Sequence, residues 1–239
     1  MLYKLSVNTE VTMRKKVLLL SIVLIVFLTQ FCSRRWRANP IFLEKTANHR
    51  IIAVLPIEIV FTGKQPKKLT ADQIDEIEEA ESLAFQASLY RLLCLEQGRY
   101  RHPIVIDIQP VEKTNDILED QGLSIRDTWK MEQVELSRIL KVDAVVRSRV
   151  EKKRYMSGLA SFGLEVGAAI LNVLADEFPL GFLVPTATRR IRAHCFLYNG
   201  KDGFTLWAKN VEDYADWSLS ANDIIDGINI HFARRFPYR

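Results

Sequence analysis

The sequence predicts an α/β fold: a mixed β-sheet with a long helix after the first strand, a late β-hairpin and a C-terminal helix, preceded by an N-terminal signal or anchor helix. Three stretches carry that prediction. Residues 135–150, ELSRILKVDAVVRSRV, pass through the single residue Lys141 from a helical face of Leu136, Ile139 and Leu140 to a strand-like run of Val142, Ala144, Val145, Val146 and Val150. Residues 51–56, IIAVLP, form a short apolar run that precedes a long amphipathic pattern. Residues 190–211 alternate on either side of Asn199-Gly-Lys-Asp-Gly203, a turn with glycines for positive φ.

The chain opens with a targeting segment. Met13-Arg14-Lys15-Lys16 precedes VLLLSIVLIVFL, residues 17–28, about 12 apolar residues. A basic head on an apolar run of that length has the form of a secretory signal and falls short of the ~20 residues of a comfortable span. Met13 is an alternative start to Met1. Cys32 closes the run and is the expected site of lipid attachment, although Phe31 stands where a small residue is expected. The rival is an uncleaved anchor. Arg34, Arg35 and Arg37 put basic residues on the far flank as well, so charge does not orient the segment. Residues 1–32 are thus the signal, lipoprotein or anchor segment, 33–49 a linker, and 50–238 a single α/β domain. Either way the body is expected to be tethered to a membrane by its N-terminus.

After the strand at 51–56, which is extendable through Ile57, Ile59 and Phe61, Thr70 and Gln73 form a capping-box pair. A helix then runs to Gly98. Ile74, Ile77, Ala80, Ala84, Ala87, Arg91 and Cys94 track one face, widened by Leu83, Tyr90 and Leu93. The acidic run Asp72, Asp75, Glu76, Glu78 and Glu79 is expected as a solvated helix N-terminus. A second strand is expected at 103–109, a polar helix at 112–120 stopped by Gly122, a helix at 128–140 and a strand at 142–152. Ser220 caps a last helix whose stripe is Ile224, Ile225, Ile228 and Phe232.

Residues 155–188 break the pattern. LASFGLEVGAAILNVL, 159–174, carries one charge, Glu165, and a Gly163/Gly167 spacing. It reads as a helix packed through small residues, as a membrane-inserting hairpin with Ala160, Phe162, Leu164, Val166, Ala168 and Ile170 on one face, or as a helix and loop on the domain surface. Leu159, Phe162, Leu164, Val166, Ile170 and Leu174 are the candidate interaction or insertion surface.

Charge and chemistry narrow the function. The net charge is +4; residues 1–31 carry Lys4, Arg14, Lys15 and Lys16 against Glu10, net +3, which leaves +1 for residues 32–239. So nearly neutral a body argues against nucleic acid as a partner. Cys32, Cys94 and Cys195 form no metal-binding spacing, His49, His102, His194 and His231 are scattered, and no nucleophile elbow or phosphate-binding glycine motif occurs. No catalytic residue, metal ligand, cofactor or small-molecule substrate is therefore assigned. Asp143, Arg147, Arg149 and His194 are the polar residues that invite a role. A backbone-bonding turn residue is expected of Asp143, and solvated or salt-bridged positions of the arginines. Cys94 and Cys195 are expected as inert buried thiols, and Trp207 as a core residue.

The signal with its cysteine, IIAVLPI (51–57), ILKVDAVVRSRVEK (139–152), the Gly-rich insertion (156–185) and YNGKDGFTLWAKN (198–210) resemble bacterial envelope lipoproteins. The group contains the curli-secretion channel lipoprotein, the N-terminal domain of TolB-type proteins and small uncharacterised lipoproteins, whose ending RRFPY (234–238) resembles. The resemblance implies a lipid-tethered domain, facing the periplasm, that binds an envelope protein or itself: a non-enzymatic accessory or interaction module. The alternative it implies is an oligomeric outer-membrane secretion pore using 156–188 as a membrane hairpin.

Overall fold

The computed structural model describes residues 40–63, 69–152, 189–215 and 219–239. Cys32 and the 155–188 insertion, with Leu159, Phe162, Leu164, Val166, Ile170 and Leu174, lie outside the described residues. So does the expected N-terminal signal or anchor helix. The rest is an α/β fold with a mixed sheet, a long helix after the early strands, a late hairpin and a C-terminal helix.

The elements follow in order: α1 (Pro40–Thr46), β1 (Ile51–Val54), β2 (Glu58–Phe61), α2 (Ala71–Gln97), β3 (Asp107–Ile108), α3 (Val111–Asp120), α4 (Ile125–Lys130), α5 (Gln133–Leu140), β4 (Ala144–Lys152), β5 (Arg189–Asn199), β6 (Thr205–Ala215) and α6 (Ala221–Ala233). The sheet order is β3-β1-β4-β5-β6, and β2 also pairs with β4. β1 lies parallel to β3 and to the start of β4, β2 lies parallel to the end of β4, and β4, β5 and β6 run antiparallel. β1 and β2 are thus one run along β4, interrupted around Pro56, where proline supplies no N–H to the ladder.

Alternation decides which residues face which helices. Ala53, Leu55 and Val145 form a cluster with Leu118, Leu136, Leu140 and Val142, and so pack under α3 and α5. Ile52, Val54, Val146, Ile191, Ala193, Cys195 and Leu197 are buried on the other face, which α2 and α6 cover. α2 is held at its start by both halves of the Thr70–Gln73 capping box. It is buried on two sides, because it meets both the sheet and α6. Phe85, Leu89 and Leu92 join Ile77, Ala84 and Leu93 inside, while Ala87 and Arg91 are exposed. The single stripe read from the sequence took in only part of this double interface.

Four further expectations change. The span 33–49 expected as linker contains α1, whose Phe42 is buried. The strand expected at 103–109 shrinks to the two residues of β3: the N–H of Ile104 goes to the carbonyl of Glu96 and that of Val105 to the carbonyl of Tyr238, outside the ladder. The helix expected at 128–140 is two helices. Ser124 and Asp127 form a capping box that starts α4 three residues earlier, and Met131 and Glu132 are extended at the break. The acidic run is not simply solvated, since Arg126 of α4 pairs with Asp75, Glu78 and Glu79.

The C-terminus closes the other open side. Ser220 caps α6 by accepting from the N–H of Asp223, and Ile224, Ile225, Ile228 and Phe232 are buried as expected. Beyond it Phe236 and Tyr238 are buried, and a chain of ring contacts runs from Trp207 through Phe236 and Tyr238 to Phe42, T-shaped at both ends and tilted between Phe236 and Tyr238. Trp207 is half-buried.

Candidate functional site

The helix-to-strand junction at residues 140–144 forms the floor of a cleft of about 870 Å³, bounded by α1, α5 and the β5–β6 turn. α5 ends because Lys141 turns left-handed, φ 55°, which sends the N–H of Val142 back to the carbonyl of Ser137. The chain then enters β4 through Asp143. Its carboxylate oxygen Oδ2 accepts from the N–H groups of Arg50 (2.7 Å) and Ile51 (3.0 Å), its own N–H donates to the carbonyl of Ile51 (2.9 Å), and its carbonyl accepts from the N–H of Gly200 (2.8 Å). Asp143 therefore ties the start of β1 and the hairpin turn to the start of β4. That is the backbone-bonding role expected of it.

Charge-assisted bonds of this kind contribute about 1.5–3 kcal/mol. Asp143→Ala should lower unfolding stability by about 2–3 kcal/mol, and Asp143→Asn, which keeps one oxygen, by less than half of that. Chemical denaturation checks both, and equal losses would refute the carboxylate's part.

The turn is closed from within. The Asn199 amide donates to Asp202 Oδ1 (2.7 Å), the N–H of Phe204 donates to the same oxygen (3.0 Å), and Gly203 adopts φ 68°. Lys45 of α1 pairs with Asp202 and lies 4.8 Å from the centre of the Phe204 ring. The Lys45 hydrogen bond, followed by that from Phe204, holds the Asp202 carboxyl below its usual range. Gly200 is where the turn meets α5. A β-carbon there would sit 2.7 Å from Ser137 Cβ and 2.8 Å from the Asp143 carbonyl oxygen. Neither neighbour is the end of a flexible chain. Gly200→Ala should therefore cost about 1–3 kcal/mol, partly restored by Ser137→Gly, in thermal melts of the two variants.

His49 borders the cleft, with Nδ1 2.6 Å from the Tyr238 hydroxyl. Burial pushes His49 down, against the raising pull of Asp143, and burial pushes Tyr238 up. The cleft is polar and open, suited to a polar surface or ligand. It lies at the amino ends of the parallel strands β1 and β4, whereas open α/β sheets place their ligand crevice at the carboxyl ends.

The remaining expected residues have structural partners. Arg147 donates to the carbonyls of Thr128 (2.6 Å) and Met131 (3.1 Å), filling the break between α4 and α5. Arg149 pairs with Glu58 and Glu151, and His194 Nδ1 lies 3.0 Å from the Asn210 side-chain oxygen. Cys94 is half-buried; Cys195 is buried, and burial pushes its thiol up to about 12. A thiol so rarely ionised is unreactive. Cys195 should stay unalkylated under native conditions and react on unfolding, as read by peptide mass mapping. Among the described residues no group of three His, Cys, Asp or Glu is placed to hold a metal ion, and no helix is long and apolar enough to cross a membrane.

Sequence reasoning missed one pair: Lys152, the last residue of β4, is wholly buried in contact with Glu81 of α2. The stripe of α2 does not mark Glu81 as inside. The only signal was parity: Lys152 shares its strand face with Val146 and Val150.

No family model matches the chain, and no curated protein matches it. Solved structures similar to it include lipoprotein GNA1162 from Neisseria meningitidis, 12% identical, with a TM-score of 0.45, over 78% of this chain and 96% of that one. The PelC dodecamer from Paraburkholderia phytofirmans is 10% identical, with a TM-score of 0.40, over 80% and 89%. The C-terminal domain of LpoB from Salmonella enterica is 10% identical, with a TM-score of 0.32, over 74% and 94%. At such scores the likenesses decide neither partner nor assembly for this chain.

Proposed function

We propose that this chain is a non-enzymatic module of the bacterial envelope, held at a membrane by its N-terminus and binding a protein partner or a second copy of itself. The observation that carries the reading is the basic head, the apolar run at 17–28 and Cys32, placed just ahead of a compact unit that begins at Pro40. A further support is the work already done by the polar residues that invite chemistry: Asp143, Arg147 and His194 are each bonded into the fold. The location proposed is the periplasmic side of the outer membrane, with Cys32 lipidated and the apolar surface of 156–185 as the contact region.

The test is fractionation of cells expressing the full chain, with mass analysis of its N-terminus and photo-cross-linking from Phe162 and Val166. The reading predicts a lipid-modified Cys32 in the outer-membrane fraction, loss of the modification in Cys32→Ser, and cross-links to protein. Soluble chain with an intact N-terminus would overturn it. The second reading, a pore formed by 156–188, rests on the alternating apolar face at 160–170 and predicts conductance of the purified full chain in planar bilayers.

A further inference from the structure

Among the described strands β6 is an edge of the sheet. It pairs with β5 on one side, and among the described residues no segment pairs with the other. The opposite edge, β3, is two residues long; β6 has eleven. An edge of that length offers a row of main-chain donors and acceptors to an added strand. β6 has no proline, its one irregularity against β5 lies near the turn, at Leu197/Tyr198, and it carries both signs of charge at Lys209, Glu212 and Asp213.

Symmetry limits how two copies of this edge can pair. An antiparallel join about a two-fold axis perpendicular to the sheet keeps each face continuous, so residues directly opposite must share a face. Five registers, centred on residues 208 to 212, then keep most of the strand paired. Centring on Ala208 opposes no charges, and centring on Lys209 sets two ammonium groups against each other, which is unfavourable. Centring on Glu212 sets two carboxylates against each other, which is unfavourable. Centring on Asn210 puts Trp207 opposite Asp213 and Lys209 opposite Val211. Centring on Val211 places Lys209 opposite Asp213 in both halves, Asn210 opposite Glu212, and Val211 against itself, with residues 207–215 paired across the join. Only this last register matches opposite charges, and it does so twice.

We propose that the β6 edge is a docking site for a second copy of this chain, antiparallel, with Val211 at the two-fold axis. The inference deepens the self-association side of the proposed function and rests on it, while a module that binds only other proteins does not need it.

The test uses the full chain in detergent or nanodiscs. Opposed residues of an antiparallel pair have Cα atoms about 4.5–5.5 Å apart, within disulfide reach. Val211→Cys should form a disulfide-linked dimer under mild oxidation that the parent chain does not form. Asn210→Cys, which faces position 212, should give at least about tenfold less. Without added cysteine, Lys209→Asp or Asp213→Lys should each weaken dimerisation about tenfold by light scattering, and the two together should restore it. A monomer at all concentrations, equal cross-linking at 210 and 211, or no rescue in the charge-swapped double variant would overturn the proposal. Those results would leave the lipidation of Cys32 and cross-links to other proteins untouched, so failure here is separable from failure of the envelope reading.

Discussion

Replacing Glu81 with leucine should destabilise the folded chain by about 3–5 kcal/mol, and replacing Lys152 with methionine by a similar amount. Both side chains are fully buried and in contact, Glu81 on α2 and Lys152 at the end of β4. Removing either takes the ion-pair contact from the other, in a low-dielectric interior. Removing both leaves no charge behind. The double variant Glu81→Leu/Lys152→Met places two apolar side chains of similar length where the pair stood, and it should be near wild type or more stable. The measurement is a double-mutant cycle by urea unfolding at about pH 6, below the value of about 7 at which Lys152 loses its proton, so that both groups are ionised, and the coupling should be of the same order as the single losses. Single losses below about 1 kcal/mol, adding in the double variant, would show that the pair is solvated.

Burial of the Lys152 ammonium also gives the stability a pH dependence. Burial pushes the Lys152 ammonium from its ordinary 10.5 down to about 7, with Glu78 pulling back up. Between those two values the unfolded chain binds a proton at this site and the folded chain does not, so raising the pH favours the folded state. Stability should therefore climb from about pH 7 toward pH 10 relative to the Glu81→Leu/Lys152→Met variant, which lacks the group. Comparing the two proteins cancels the other titrating residues. A constant difference over that window would refute the burial of the charge.

The elements legible in the sequence are those whose signals are local. The Thr70–Gln73 box, the stripe of α6 and the NGKDG turn each sit within a few residues, and each is where its pattern puts it. The junction at Lys141 was legible for the same reason, down to the part played by Asp143. What failed depended on tertiary neighbours. α2 looked one-sided because its second buried face exists only once α6 packs there, through the Asn229 amide on the carbonyl of Phe85 and Asp226 on Ser88 and Arg91. The strand at 103–109 has the right alternation, with Ile104, Ile106 and Ile108 inside and Val105 out, but partners outside the ladder take its backbone. The cleft combines α1, α5 and the hairpin turn, and no spacing in the sequence links them. At 159–174 few charges, a glycine spacing and an alternating apolar face mark a segment as unusual without fixing what it touches.

Phe236→Ala should cost about 3–5 kcal/mol, a loss comparable to breaking the buried ion pair, although the residue lies three positions beyond α6. The sequence marks 234–238 only as the basic end of a helix followed by proline. In the fold Phe236 is 1% exposed, its ring centre 5.7 Å from that of Trp207 and 5.9 Å from that of Tyr238. Truncation removes the transfer free energy of a buried ring and leaves a cavity between β6 and the tail. Tyr238 would lose its packing as well, and with it the ring contact to Phe42 and the hydroxyl contact to His49. Phe42 and His49 flank the last residues of α1 and the cleft beside them, so the loss should spread beyond the tail. Amide exchange should therefore quicken in α1 as well as in 234–239. Phe236→Leu, which keeps most of the volume, should recover more than half of the stability. Were Phe236→Ala to melt within about 0.5 kcal/mol of wild type, with exchange in α1 unchanged, the tail would be a surface appendage and α1 would be held by its own contacts.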